Sequence, residues 1–573
     1  MRRALLAMFL CAAPLLTATA QASTGLLERE ALREVLRRSP HAAHARALPL
    51  PLPDPATASA AAATGEAARI ARTEGPARLL VGVRAHSDSA GVAATLRALG
   101  ARPERFGLTG VIAARVPSGA AAVRALRGDP RVAYIERDLT LRTAADEFDK
   151  VDPDPGAGGL KFTWAYDAVH AGEALFAVGG GSARIVSVLD TGLDVTHPEF
   201  AGQIARTIDA ASGGADVTDF VGHGTFVTGL IAARDGNGLG GKGVAGTTKV
   251  IAVRASTNGS FELSDLIRGI EFSIRRGADV INMSLAGEGF TRSHARALEA
   301  AFFNDVLPIA ASGNNAENGN PVEFPAAALG GFRGGRGIGL SVAATKPNGS
   351  VAPFSDHNGF VSLAAPGASA GDCSFGVFST IPATTTPPWN EGGCPNVFTG
   401  VEGAHYAYGE GTSFAAPIVS GLAALTWQAE RRLASEQVAD VMIRSANGSG
   451  WNQFTGAGIV DGLAAVELAR RYDVVSPRVH GRTRRRGNRV RAKVARSKDR
   501  TATGDELAGR VTYSLLVSRD SGRTFRVLAS GRRRPFTKNV TLRGRRRNVF
   551  LATACDGNGN CGVKRLGRFK RRG

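Results

Sequence analysis

The sequence predicts an α/β protein, in which a domain built on a parallel sheet is preceded by a small α+β domain and followed by an all-β module. Three observations predict this. Between about Trp164 and Tyr472, short apolar runs alternate with helical patterns, as in a parallel sheet with helices on both faces. Residues 78–138 interleave three strand-like runs with two short helical ones. Beyond Pro477 the pattern changes to alternating strands rich in arginine.

In the central region, Ile185 to Leu189 reads as a strand and is followed by a helical pattern near His223 to Ala233. Val250 to Val253 is followed by Ser264 to Arg276, and Val280 to Ser284 by Ser293 to Phe303. Val306 to Ala311 reads as a further strand. In the small domain, Leu79 to Val83, Val111 to Val116 and Val132 to Glu136 read as strands, with helices at Ala90 to Leu99 and Ala120 to Leu126. That is a β-α-β-β-α-β-like plan. Residues 139–160, rich in Asp, Pro and Gly, read as a linker. The module at 475–573 reads as a small β-sandwich, clearest at Val511 to Val517 and Asn548 to Cys555, with its arginines as the solvated face.

The chain has 573 residues, 43% hydrophobic and 21% charged, which excludes a wholly disordered or fibrous protein. The formal net charge of +20 is unevenly placed. Residues 476–573 hold 29 Lys+Arg against 5 Asp+Glu, and the rest of the chain holds 41 against 45. Nucleic-acid binding by the whole protein is therefore not implied.

Arg2 and Arg3, the apolar run Ala4 to Leu16, and small-x-small sites at Ala18-Thr19-Ala20 and Ala20-Gln21-Ala22 form an export signal over residues 1–22. The run is too short to span a bilayer. Leu10 precedes Cys11 where a lipid anchor needs a small residue. The expected mature protein is secreted and soluble, with 23–77 as a low-complexity leader. Outside the signal lie Cys373, Cys394, Cys555 and Cys561. Export permits disulfides, and the local pairs Cys373–Cys394 and Cys555–Cys561 are the favoured connectivity. Zinc needs clustered Cys/His spacing, which is missing.

Three motifs carry chemistry. The strand ending at Leu189 runs into Asp190-Thr191-Gly192. Gly222-His223-Gly224-Thr225 opens one helical pattern, and Gly411-Thr412-Ser413-Phe414-Ala415-Ala416-Pro417 opens another. An Asp at a strand's C-terminal end sits where open α/β sheets place ligands. A Ser hydroxyl is a poor nucleophile until a base takes its proton, and a carboxylate on the far nitrogen of a His fixes that base. Asp190, His223 and Ser413 supply the three parts of an acyl-transfer site. A fourth part, a donor to the oxyanion, is offered by Asn314 in Ser312-Gly313-Asn314, beside the Ser413 N–H.

These four blocks, in this order, resemble those of the subtilisin-like serine proteases (the S8 peptidase family), over about residues 161–474. Val280 to Leu285 resembles the strand backing that family's specificity pocket, so Ser284, Leu285, Ala286 and Gly287 are the implied substrate-binding positions. Residues 78–138 resemble its inhibitory propeptide, which implies a zymogen cut near 139–160. The family often binds structural calcium, but no ligand cluster can be named from this sequence, and no cofactor enters the chemistry. Phe226 stands where the family usually has a second His, and Thr228 where it has Ala; both are expected to pack inside the helix. Ala286 replaces a usual glycine and is expected to narrow the substrate edge. Cys373 to His405 reads as an inserted loop closed by a disulfide.

Rival readings remain. His197 is the nearest alternative base, and it reads as structural. An aspartic protease needs a second Asp such as Asp520, which sits in a basic, turn-like stretch. A catalytically silent protein whose basic module binds anionic surfaces is the other alternative. The expectation is a secreted, zymogen-activated serine endopeptidase acting on protein or peptide substrates, inhibited by its own prodomain and monomeric. Its basic tail is expected to hold an anionic cell-surface polymer, with no specific nucleic acid.

Overall fold

A computed structural model describes residues 67, 69–72, 75–143, 163–180, 183–335, 337–369, 376–383, 397–399, 403–474, 477–498, 511–519, 525–532, 534–544, 546–556 and 560–571. The expected export signal, nearly all of the leader, Cys373, Cys394 and Asp520 lie outside them. The chain divides into two compact units, one within residues 44–470 and one within 471–573.

The first unit is organised by a seven-stranded sheet. Its order is Leu363–Pro366, Leu340–Thr345, Leu307–Ala311, Val280–Met283, Ile185–Asp190, Lys249–Arg254 and Ile204–Asp209. Every neighbouring pair is parallel. Strands covered on both faces read as continuous apolar runs, which is why the central ones are legible in sequence. Ile204–Asp209, at one edge, mixes apolar and polar residues without a period and gave no such signal.

Helices Leu263–Arg275 and Arg292–Phe303 pack on one face, where Leu266, Ile267, Ile270 and Leu298 meet Leu189, Ile251, Val253, Ile281 and Met283. Helices His223–Ala232 and Thr412–Ala429 are buried almost all round. A helix apolar on every side belongs in a core, and these two carry their chemistry on their first turns. Two strands from the region read as an inserted loop, Val377–Ile381 and Val397–Thr399, flank the strand that follows it, His405–Gly409, in a three-stranded antiparallel sheet. It is tied to the His223 helix by Ser379 Oγ donating to Phe226 O (2.7 Å) and Thr380 Oγ1 to Thr225 O (2.9 Å).

In the small domain an antiparallel sheet has the order Glu104–Phe106, Val111–Val116, Ala77–Val83 and Val132–Arg137. The three-residue strand Glu104–Phe106 was not foreseen, being too short and polar to show a period. Leu79, Val81 and Val83 face the domain's own helices, Ser89–Ala98 and Gly119–Leu126. Leu80, Phe106 and Val111 face the other way and join Leu263, Leu266 and Leu298 in one cluster. The run Leu79-Leu80-Val81-Gly82-Val83 is apolar at nearly every position because both faces of its strand are covered.

The start of the expected linker is structured. Thr140–Thr143 leaves the small sheet and becomes the middle strand of another, between Leu285–Ala286 and Ser260–Glu262, antiparallel to both. Its partners lie more than a hundred residues away, so nothing local announced it.

The second unit is all-β, with sheets Arg478–Arg486, Arg489–Lys498, Phe536–Thr541 and Arg526–Arg532, Thr512–Ser518, Asn548–Cys555, Cys561–Phe569. They close on Val490, Ala492, Val494, Tyr513, Leu515, Val540, Phe550 and Ala552. Cys555 and Cys561 are joined by a disulfide.

Candidate active site

Asp190 ends its strand with its carboxylate fixed by its neighbour: Thr191 N–H donates to Oδ1 at 2.8 Å. His223 is the first residue of its helix, and its Nδ1 lies 2.6 Å from Asp190 Oδ1, both side chains fully buried. Glycine permits this approach. Gly192 and Gly222 have φ of +132° and +93°, and a Cβ on Gly224 would collide with Gly192 O.

Ser413 lies in the first turn of its helix, fully buried. Its Oγ donates to Ser284 O at 3.0 Å, while Ser284 Oγ donates to Ser413 O at 2.7 Å. The next residue, Phe414, sets its ring 5.5 Å from that of His223, and 4.3 Å from Phe226. The helix carrying Ser413 and the helix carrying His223 are thereby packed at their first turns. Asn314 follows the strand Leu307–Ala311; its Oδ1 accepts from Thr412 N (3.0 Å) and Thr412 Oγ1 (2.8 Å). That orientation puts Nδ2 on the opposite side of the amide. Leu285–Ala286 pairs with the incoming strand, Leu285 opposite Thr143 and Ala286 opposite Arg142. Leu141 is buried, and its Cδ2 would lie 2.9 Å from a Cβ on Gly287.

Phe226 and Thr228 are buried in the helix. His197 is occupied structurally: its Nε2 lies 3.0 Å from His405 O, its Nδ1 accepts from Glu199 N–H, and burial holds its pKa below the ordinary value.

Several residues of the site escaped the sequence reading. Buried Asp219 accepts from Thr191 Oγ1, Val221 N–H, Gly222 N–H, Thr225 N–H and Thr225 Oγ1, at 2.8–3.1 Å. Thr191 Oγ1 in turn accepts from Gly224 N–H at 2.9 Å. Asp219 thus satisfies the exposed donors at the start of the His223 helix. Glu323 and Asp356 bring their carboxyls together against Gly313, where a Cβ would collide with both. Burial, then the hydrogen bond and charge of Glu323, push Asp356 up to about 8. Among the described residues no three His, Cys, Asp or Glu gather where they could hold a metal ion, so the calcium that the resemblance allows has no such cluster here.

Carboxylates also join the small domain to the sheet domain. Glu136 accepts from Arg292 N–H, Ser293 N–H and Ser293 Oγ at 3.0–3.2 Å, at the start of one helix. Asp138 accepts from Ser264 N–H at 2.8 Å, at the start of another. Glu271 reciprocates, accepting from Leu108 N–H and Thr109 N–H, both at 2.9 Å. Burial raises the pKa of Glu136.

The chain is similar in sequence to known proteins. The subtilase family model matches residues 181–458. The thermophilic serine proteinase of Bacillus sp. (strain AK1) is 30% identical over 328 residues, covering 56% of this chain and 70% of that one. The M-protease of Shouchella clausii is 30% identical over 344 residues, covering 60% and 76%.

The chain belongs to the subtilase family.

It is a subtilisin-like serine endopeptidase by family. The crystal structure of fervidolysin from Fervidobacterium pennivorans superposes on this subtilase with a TM-score of 0.58 at 19% identity, covering 87% of this chain and 92% of that one; this likeness is one of fold. No helix among the described residues is long and apolar enough to cross a membrane.

Proposed function

We propose that this subtilase is a secreted, zymogen-activated and monomeric endopeptidase that cuts protein substrates through an acyl-enzyme at Ser413. The observation that carries the reading is the 2.6 Å contact between His223 Nδ1 and Asp190 Oδ1, at the C-terminal edge of the sheet beside the Ser413 helix. Asp190 holds the tautomer in which Nε2 is the basic nitrogen. Ser413 Oγ attacks the scissile carbonyl carbon and its proton passes to His223 Nε2. The oxyanion takes hydrogen bonds from Asn314 Nδ2 and the Ser413 N–H. The C–N bond then breaks, with His223 protonating the departing amine. Water repeats the sequence on the acyl-enzyme and restores Ser413. No metal or organic cofactor is routed through these steps.

The substrate lies along Ser284, Leu285, Ala286 and Gly287, extending that strand. Residues 140–143 already do so, with Leu141 in the apolar recess beside Gly287. The prodomain thus acts as an inhibitor that fills the cleft as a substrate would. Activation requires its cleavage and departure.

A fluorophosphonate probe tests this on purified wild type and on Ser413→Ala. Labelling lost in the variant, with a labelled band smaller than the precursor, is the expected result. No labelling of a folded, prodomain-free wild type would overturn the hydrolase assignment.

A further inference from the structure

The second unit carries its charge in an arrangement that composition alone does not reveal. Arg478–Arg486 and Arg489–Lys498 form a hairpin whose register sets Arg482 opposite Lys493, Arg484 opposite Arg491 and Arg486 opposite Arg489. All six side chains are exposed, and they alternate with inward-facing residues such as Val490, Ala492 and Val494. They therefore share one face, in two rows. Successive cations along a strand are about 7 Å apart, and rows on paired strands about 5 Å apart. The third strand adds Thr541, Asn539 and Thr537 beside Arg489, Arg491 and Lys493, all exposed. No acidic residue pairs with these cations across the three strands, and none of the six makes an ion pair with a described residue.

Like charges directly opposite one another destabilise a sheet. An ordinary solvated face mixes signs, and this one does not. Three stacked like-charge pairs are relieved by a ligand that brings regularly spaced negative charge. Five of the six cations are arginine, whose planar fork suits two-pronged hydrogen bonding to oxyanions.

We propose that this face binds a linear polysaccharide bearing repeated anionic groups, laid along the paired strands. It deepens the expectation that the basic module holds an anionic polymer, by naming the face and the ligand, and it does not depend on the chemistry at Ser413. Neighbouring side chains decide the occupant. Single-stranded nucleic acid is held by rows of aromatic side chains that stack on bases, and the paired cations have no Phe, Tyr or Trp beside them, only half-buried His480 at one end. A bilayer surface is held by large apolar side chains inserted between headgroups, and beside these cations the face offers only the single methyl of Ala495. Thr537, Asn539 and Thr541 instead offer neutral donors and acceptors that match sugar hydroxyls.

The test uses the full chain carrying Ser413→Ala, to prevent self-digestion, with heparin as the probe at 50 mM and 300 mM NaCl. Arg482→Gln, Arg484→Gln and Arg491→Gln together remove three cations from the face. Lys564→Gln, Arg565→Gln and Arg568→Gln remove three exposed cations from the strand Cys561–Phe569 of the other sheet. We expect heparin binding that weakens steeply with salt. The first triple variant should lose at least ten-fold in affinity, and the second less than three-fold. The first variant should melt no lower than its parent, since it relieves repulsion, and this separates lost binding from lost folding. Equal losses in the two variants would reduce the effect to net charge and overturn the proposal. So would the absence of heparin binding at 50 mM NaCl. Equal or tighter binding of a DNA duplex, or of vesicles containing phosphatidylglycerol, would overturn the assignment to a glycan.

Discussion

Asn314 and Thr412 are latched twice, the Asn314 Oδ1 accepting from both the backbone N–H and the hydroxyl of Thr412. The Thr412 hydroxyl also accepts from Gly313 N–H at 3.2 Å. The loop that presents Asn314, the proposed oxyanion donor, is thus fixed to the residue preceding Ser413. Thr412→Val keeps the shape and removes the hydroxyl. We expect kcat to fall roughly ten-fold, the equivalent of about one net hydrogen bond, with KM little changed, because the oxyanion develops only in the transition state. Steady-state kinetics on a small peptide substrate check this. A rise in KM at constant kcat would instead place Thr412 in ground-state binding.

Asp219 does comparable work for His223, the proposed base. Five donors converge on its two oxygens at the start of the His223 helix. Asp219→Asn replaces one oxygen with an NH2 group, so that donors face a donor in a buried place. The expected loss of stability is about 2–4 kcal/mol. Thermal unfolding measured alongside activity should show a lowered midpoint, and lower activity per folded molecule as His223 loses its anchor. An unchanged midpoint would show that the contacts are dispensable.

What was legible in the sequence follows from what local residues must do by themselves. Asp190, His223, Asn314 and Ser413 sit in blocks marked by glycines, because backbone approach there leaves no room for a side chain, as at Gly224 against Gly192. The central strands showed because burial on both faces demands unbroken apolar runs. Asp219, only four positions before His223, carries the local signal of an acidic residue ahead of a helix, whereas Glu136 and Asp138 were invisible for the opposite reason. A carboxylate that caps a helix from afar has no spacing rule to betray it, and Asp138 meets Ser264 across 126 positions. Thr412 lies inside the block Gly411 to Pro417, yet its role depends on Asn314, 98 positions away. The basic module's charge was countable, but only strand register shows that its cations are stacked on one face.

Leu141 is the apolar anchor of the strand Thr140–Thr143, proposed to fill the cleft, and is buried with Phe261, Leu263 and Leu285. Burial of such a side chain contributes about 1.5–3 kcal/mol, a factor of roughly ten to a hundred in occupancy of the cleft. Leu141→Asp places a carboxylate in that recess. The full chain should then react with a fluorophosphonate probe at least ten-fold faster, with Leu141→Ala between the two. Time courses of labelling on freshly purified precursor check this. Identical rates in all three would separate the strand from the control of access to Ser413.

The Glu323–Asp356 pair gives the protein a pH dependence of definite sign. Asp356 titrates near 8 in the folded chain and near 3.8 when free, because it is buried against Glu323. Between those values the folded chain keeps a proton that the unfolded chain has released. Stability therefore falls as pH rises through this window, and the loss levels off above about 8. Asp356→Asn should remove that slope. Asparagine cannot ionise, its oxygen can still accept from Asn315 N–H as Asp356 Oδ1 does at 2.8 Å, and its NH2 can donate to Glu323. Melting curves of the Ser413→Ala chain with and without Asp356→Asn, taken from pH 5 to pH 9, check it. The two should melt together at pH 5, and the Asn variant should melt higher at pH 9. Parallel curves across the range would show that the pair is ionised throughout.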